Sequence, residues 1–354
     1  MLSQLLSYLE SWRRQIPLPA TTGAVPSFQE WLTFDKGQWI SPARTTDTIF
    51  GARHQWEGFF HLISWNVNAD AAFPRSRISA LLQAIRNTEV ADILLLQEVS
   101  KEALVHLLED PWIQQNWYTS DAGFASFGTQ KFATITLLSK RWITSHNVSL
   151  GGLWRIHLPS RFGRDALCCD LVLNASSKCA PGKQALRIRL INVHLDSLPI
   201  NPSLRPRQLS LAASYLSAAG RGMIAGDFNT VLPEDEDLIS TNKLTDGWTH
   251  LYPEDSGFTW GLYTGNPFPP NRLDRVALLN LSPLTMTILK THEVDGHGEM
   301  ALDGSSESSD MKVPFSDHYG LLCKVKWAED LQVPEQQGLE SRESHKSNDS
   351  LIAA

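Results

Sequence analysis

The sequence predicts an α/β fold: a four-layered α/β/β/α sandwich in which two packed β-sheets are flanked by helices. Three observations predict it. Short β-prone apolar runs are separated and followed by helical stretches with one apolar face. Some of these runs alternate with polar residues and others are continuously apolar, the mixture expected when two sheets pack face to face beneath helices. With 42% hydrophobic and 19% charged residues among 354, the chain can bury a large core. No internal repeat is visible.

Residues 1–57 read as an N-terminal extension packed on the core. Leu2, Leu5, Leu6 and Leu9 have helical spacing, and polar residues and Arg13-Arg14 follow. No basic region precedes a continuous apolar stretch, so this is not read as a signal peptide. No window reaches the roughly 18 apolar residues of a spanning helix. A soluble, intracellular protein is expected, in nucleus and/or cytoplasm, with no membrane partner. Trp12, Trp31, Trp39 and Trp56 suggest that the extension covers a sheet edge, and Trp31–Phe34, Asp35-Lys36-Gly37 and Gln38–Ile40 read as a hairpin with a glycine turn.

The body, residues 58–327, begins with a strand over Phe59–Val67 and an amphipathic helix over Arg75–Glu89, marked by Ile78, Leu81, Leu82 and Ile85. Asp92–Val99 reads as a buried strand, with Ser100 capping the helix after it. Phe132–Leu138 and Leu167–Leu173 read as strands, and Leu186–Leu195 as a half-buried one alternating through Arg187 and Arg189. Pro202–Ala219 reads as a helix closed by Gly220. Met223–Ala225, Val276–Leu279 and Gly320–Trp327 complete the strands. Residues 291–313 read as a mobile acidic insertion and 328–354 as a disordered tail. Cys168, Cys169, Cys179 and Cys323 form no CxxC pair, which argues against a zinc ribbon; Cys168 and Cys169 read as buried thiols.

Polar residues recur where the apolar strands end, which is where α/β sheets build sites. The passages are Ser64-Trp65-Asn66-Val67-Asn68, Leu95-Leu96-Gln97-Glu98-Val99, Ile191-Asn192-Val193-His194-Leu195-Asp196-Ser197, Ile224-Ala225-Gly226-Asp227-Phe228-Asn229, Arg272-Leu273-Asp274-Arg275-Val276 and Phe315-Ser316-Asp317-His318-Tyr319-Gly320. Singly, each has a bland reading: Asn66 a turn, Glu98 a helix cap, His194 a hydrogen-bonded core histidine, Asp227 to Asn229 an Asx turn, Asp274 an ion pair with its arginines.

Together and in this order, the six resemble the endonuclease/exonuclease/phosphatase superfamily, from about Phe59 to Trp327. The resemblance implies a DNase I-like fold and a Mg²⁺-dependent phosphodiesterase. Within the superfamily the passages are most similar to the tyrosyl-DNA phosphodiesterase 2 branch, through Ser64–Val67, Phe162-Gly163-Arg164, His194–Ser197, Phe258-Thr259-Trp260 and Ser316–Cys323. Phe228 stands where that branch usually has a small polar residue, and Tyr319 where it has Trp.

On this resemblance Glu98 is the first metal ligand, Asn66 orients it or contacts the metal's shell, and Asp317 is the second candidate; Mg²⁺ suits such oxygen ligands and Mn²⁺ is a possible substitute. Asp227 orients or deprotonates the attacking water, and Asn229 holds that water or a phosphate oxygen. His194 and His318 donate to non-bridging oxygens, with Asp274 pairing His318 and keeping it protonated. Ser197 is placed near the phosphate by resemblance; Arg161 and Arg164 meet DNA phosphates, and Trp260 stacks on a base. The expected partner is a nucleic acid 5′ end, single-stranded DNA with a tyrosyl adduct, bound by a monomer. A phenol leaves with a pKa near ~10 and needs little acid assistance. Two other readings stay open: another phosphodiesterase, nuclease or phosphatase acting on nucleic acid, a lipid head group or a small phosphate ester, and an inactive binding scaffold.

The net charge of −7 argues against coating nucleic acid by bulk charge. The acidity is local. Residues 293–312 carry six acids and one base, and 328–354 six acids and two bases, so the remainder is +2.

Overall fold

The computed structural model describes residues 2–20, 24–42, 58–70, 72–173, 185–263, 267–295 and 312–327. The tail over 328–354, the centre of the acidic insertion, Trp56 and Cys179 lie outside the described residues. Two mixed sheets pack face to face. In the six-stranded sheet the order is Leu281–Leu289, Gly320–Trp327, Phe59–Asn66, Ile93–Ser100, Phe132–Ser139 and Trp117–Thr119. In the seven-stranded sheet it is Ser27–Gln29, Val148–His157, Asp165–Leu173, Leu186–His194, Gly222–Asp227, Asp274–Leu279 and Thr245–Asp246.

Alternation along the strands builds three apolar layers, because successive side chains point to opposite faces. Between the sheets lie Phe60, Leu62, Ile93, Leu95, Leu138, Cys169, Leu190, Met223 and Val276. Outside the six-stranded sheet, Ile63, Trp65, Leu94 and Leu96 meet Ile78, Leu81, Leu82 and Ile85 of the helix Pro74–Arg86. Outside the other, Ile191, Val193 and Ile224 meet Leu209, Ala212 and Leu216 of the helix Arg205–Ala219. The result is the four-layered arrangement that the sequence predicts.

Local signals hold where a specific side chain decides them. Ser100 Oγ accepts from the amide of Ala103 at 3.1 Å and starts the helix Lys101–Glu109. Gly220, at φ 75°, ends the helix Arg205–Ala219. Lys36 and Gly37 are left-handed and turn the hairpin Thr33–Asp35/Gln38–Ile40, whose neighbour Leu32 bridges to Thr119 at the edge of the six-stranded sheet. Cys168 and Cys169 are buried free thiols, as expected.

Three differences have physical reasons. The strand Leu186–His194 is not half-buried: Arg189 is wholly buried because Asp170 pairs with it at 2.7 Å and the carbonyls of Pro17 and Tyr215 take its remaining donors. The strand Val148–His157, second in its sheet beside Ser27–Gln29, escapes sequence reading because Gly151-Gly152 and a register shift break its apolar run. The ends of the acidic insertion, Glu293–Asp295 and Lys312–Pro314, pair as antiparallel strands.

Candidate active site

In five strands the inward-facing row is apolar along the sandwich and turns polar at one end. Leu62 gives way to Ser64 and Asn66, Leu95 to Gln97, Leu190 to Asn192 and His194, Ala225 to Asp227, and Val276 to Asp274. The strand Asp274–Leu279 runs antiparallel to Gly222–Asp227 and pairs Asp274 with Asp227, so its first residue reaches the same end. The site is therefore the polar rim of the inter-sheet core.

Glu98 reaches this rim through a break in the alternation. Leu94 and Leu96 face the outer helices, so strict alternation would send Glu98 outward too. Between Leu96 and Val99 the register shifts, Glu98 takes a left-handed φ of 54°, and Val99 packs outward instead. A left-handed glutamate costs about 1–3 kcal/mol, strain of the kind that clusters at functional sites. The carboxylate accepts from the amide of Ala69 at 3.0 Å and from Asn66 Nδ2 at 3.2 Å.

Asn66 Nδ2 also donates to Asp227 Oδ2 at 3.0 Å, while Asn66 Oδ1 accepts from the amide of Asn68 at 2.9 Å. An N–H needs an oxygen opposite it, so the Asn68 amide fixes which way the Asn66 amide points. Asn66 thus joins the two carboxylates across the sheets with its donor. Asp227 Oδ1 accepts from the Asn229 amide at 2.9 Å, and Asn229 Nδ2 donates to Leu195 O at 3.2 Å. Gly226, at φ 139°, lets the strands close up: a Cβ there would lie 2.0 Å from Val193 O. Burial pushes the Asp227 carboxyl up to about 7, helped by Asp274 and Glu98 and opposed by His318 and Asn66.

His194 Nε2 lies 3.6 Å from Glu98 Oε1 and 3.5 Å from Asp227 Oδ2, and its ring stacks on Phe132. Burial, then the cations Arg164 and His318, push its pKa well below the usual value, so it is neutral at neutral pH. His318 Nδ1 lies 2.8 Å from Asp274 Oδ2, and its Nε2 3.9 Å from Asp227 Oδ2. Burial opposes its charge, but Asp274, Asp227 and Asp317 outweigh burial and raise its pKa to about 10. The loop carrying it is fixed by Trp65 Nε1, which donates to His318 O at 2.9 Å, and by Ser316 Oγ, which accepts from the His318 amide at 3.0 Å.

The residues expected to meet substrate are distributed around this centre. Arg164 Nη2 donates to Ser197 Oγ at 3.0 Å, and Ser197 Oγ lies 3.4 Å from His194 Nε2, so both border the site. The Arg164 guanidinium covers the Phe132 ring at 4.7 Å, beside a cavity of about 450 Å³ lined also by Phe127, Arg155 and His194. Arg161 is exposed at the loop tip, where its main-chain amide donates to Asp196 at 3.0 Å and its side chain reaches Ile200 O at 3.5 Å. Trp260 is half-buried, near Phe268, and donates to Asp317 Oδ2 at 3.2 Å. Asp317 is thereby engaged and stands outside the cluster of possible metal ligands.

That cluster, among the described residues, is Glu98, His194 and Asp227, with one ligand atom of each within 4.8 Å of the others. Two carboxylates and a neutral imidazole suit a divalent cation, and the oxygen donors suit a hard one. Sequence reading gave His194 and Asp227 other roles and missed Arg77. Arg77 is buried and donates to Phe315 O at 3.1 Å, to Asn68 O at 2.8 Å and to Val67 O, tying two site loops together. Its sequence signal is an arginine on the apolar stripe with Leu81 and Ile85.

The sequence profile of the Endonuclease/Exonuclease/phosphatase family matches residues 63–318. No curated protein matches the chain closely enough to count as a relative. Among solved structures, D. rerio TDP2 complexed with single-strand DNA product superposes with a TM-score of 0.56 at 18% identity, covering 76% of this chain and 100% of that one. Truncated Caenorhabditis elegans TDP2 gives 0.53 at 19% identity, covering 76% and 98%. Sphingomyelinase C from Streptomyces griseocarneus gives 0.51 at 15% identity, covering 75% and 99%. At these identities the likeness is one of fold.

Proposed function

This chain belongs to the endonuclease/exonuclease/phosphatase family, and on that premise we propose that it is a divalent-metal-dependent phosphodiesterase that hydrolyses 5′-phosphotyrosyl bonds on single-stranded DNA ends, leaving a 5′-phosphate. The observation that carries this reading is one buried carboxylate, Asp227, flanked by two histidines held in opposite protonation states, with Glu98 beside it. Perturbed protonation states of this kind cluster at functional sites.

Glu98 would hold the cation, Mg²⁺ or Mn²⁺, with Asp227 and His194 beside it, and Asn66 would orient both carboxylates. When bound, the cation neutralises charge on the phosphoryl oxygens. Asp227 orients the attacking water and accepts its proton. The water oxygen bonds to phosphorus, the bond from phosphorus to the phenolic oxygen breaks, and the phenolate leaves and takes a proton from solvent. His318, protonated and fixed by Asp274, donates to a non-bridging oxygen where charge develops. Neutral His194 donates through Nε2, and Arg164 and Ser197 meet the phosphate from the other side.

The D. rerio TDP2 structure with single-strand DNA product supports a DNA end as the ligand. Half-buried Trp260 offers a ring for a terminal base. The test is a substrate panel with Mg²⁺ or chelator: a 5′-tyrosyl oligonucleotide, an abasic duplex and an inositol phosphate. The tyrosyl oligonucleotide is cleaved fastest and only with metal. Faster cleavage of either other substrate replaces the substrate assignment, and no metal-dependent hydrolysis of any of them leaves a binding scaffold.

A further inference from the structure

The inter-sheet core ends in two fully buried side-chain amides, Gln97 from the six-stranded sheet and Asn192 from the seven-stranded one. Gln97 Nε2 donates across the sheets to Asn192 Oδ1 at 2.9 Å. Within its own sheet it also reaches Leu95 O at 3.0 Å and Ser64 Oγ at 3.3 Å. Asn192 Nδ2 donates in the other direction, to Leu96 O at 3.2 Å and Ile135 O at 3.0 Å. Leu96 and Ile135 are partners in the last regular rung before the register shift that turns Glu98 inward. Asn192 therefore ties down, from the opposite sheet, both strands at the point where the bulge begins.

Position makes this pair more than packing. Gln97 directly precedes Glu98, and Asn192 lies two residues before His194 on the same face of its strand. The amide contact spans the sheets directly beneath the place where Glu98 and His194 face each other at 3.6 Å. Energetics point the same way. Gln97 Oε1 is buried with no hydrogen-bond partner, and such an acceptor costs about 1–3 kcal/mol. Replacing both amides by apolar groups of similar shape is nearly neutral or stabilising, so stability alone gives no reason for amides here.

We infer that Gln97 and Asn192 are positioning residues: together they fix the sheet separation and the bulge that present Glu98 to His194 and Asp227. The inference rests on the metal-dependent reading of the site, but its test does not require a substrate. Asn192→Leu and the nearly isosteric Gln97→Met are compared with the wild-type chain by thermal melting, by Mn²⁺ titration, and by native-state hydrogen exchange at the amides of residues 97–99. In both variants melting falls modestly, because each single replacement leaves the other amide unpaired, Mn²⁺ affinity falls about 10–100-fold, as for other residues that hold metal ligands, and exchange accelerates at 97–99 ahead of the rest of the sheet. Hydrolysis of a simple aryl phosphodiester then needs more metal for half-maximal rate, while KM at saturating metal stays within about twofold, a split that general destabilisation does not produce. If Asn192→Leu fails to fold, Gln97→Met alone decides. Wild-type Mn²⁺ affinity and wild-type exchange in the folded variants overturn the inference. A wild-type chain that binds Mn²⁺ but hydrolyses nothing overturns the proposed function and leaves this inference standing.

Discussion

Asp227 is faced from two sides by buried histidines, His194 Nε2 at 3.5 Å and His318 Nε2 at 3.9 Å, yet the two sides are electrostatically opposite. Burial pushes both imidazoles toward neutrality. On the His194 side burial prevails: Nδ1 has no hydrogen-bond partner, the ring lies on Phe132, and the cations Arg164 and His318 add to the shift. On the His318 side, Asp274 sits 2.8 Å from Nδ1 and reverses the outcome. One carboxylate, placed on one ring nitrogen, divides a pair of like residues into a neutral donor and a permanent cation.

Removing the group between the two sides has the largest expected effect. Asp227→Asn keeps the shape and the Asn229 contact but cannot take a proton, so kcat falls about 10²–10⁴-fold, the usual worth of a general base, while far-UV circular dichroism is unchanged. Near-wild-type turnover in this variant would mean that both histidines flank a bystander.

Asp274→Asn attacks the asymmetry itself. Without the carboxylate, burial acts alone on His318 and its pKa drops toward that of His194. Turnover near pH 8 falls about a hundredfold, the lower end for losing one transition-state donor, and partly recovers as the assay pH is lowered. Stability follows the same group. The folded pKa of His318, about 10, is above the usual 6.5, so its contribution is fully present below about 6.5 and is lost as pH rises through about 10. The melting difference between wild type and variant should be largest at pH 6 and shrink toward pH 10; a constant difference contradicts a charged His318.

The two sides were unequally legible in the sequence. The pairing of Asp274 with His318 came with the resemblance, which rests on motifs that a sequence shows: an acid and a histidine, each at the polar end of an apolar run. The strands are legible for the same reason, since Phe59, Ile93 and Gly320 begin runs whose alternation survives folding. The cation side of Asp227 was read; the metal side was only half read. Glu98 was identified by resemblance, but its direction depends on a left-handed residue inside a strand, and glutamate gives no local sign of that conformation. The grouping of His194 with Glu98 and Asp227 depends on how closely two sheets approach, a tertiary quantity. Asp317 was the second metal candidate, and one of its carboxylate oxygens accepts from the Trp260 indole.

Proton and metal compete on the metal side. Burial raises the folded Asp227 pKa to about 7 from the usual 3.8, so its protonated form contributes stability fully below about 3.8, and that contribution is lost as pH rises through about 7. In chelator, wild type should lose melting temperature relative to Asp227→Asn between pH 5 and pH 8. Because a cation beside Asp227 must displace its proton, Mn²⁺ affinity falls about tenfold per pH unit below 7. Affinity independent of pH from 5 to 8 would place the cation away from Asp227.

The smallest effect separates two arginines of one loop, and it bears on how far the site extends beyond the histidines. Arg164 is held against Phe132 and Ser197, within reach of His194, whereas Arg161 is exposed and its side chain makes only a 3.5 Å contact to Ile200 O. A fixed guanidinium has already lost its freedom and delivers its charge to one place; a loose one is screened by solvent and salt. Arg161→Ala should change kcat/KM for a 5′-tyrosyl oligonucleotide by about twofold, the ordinary scale of an exposed substitution, and the change should vanish as salt rises from 50 to 300 mM. Arg164→Ala should cost more and keep most of its cost at high salt. Equal, salt-sensitive losses in both variants would place the DNA end across the loop tip, away from His194, and would make the His194 side a wall of the site with no part in holding the phosphate.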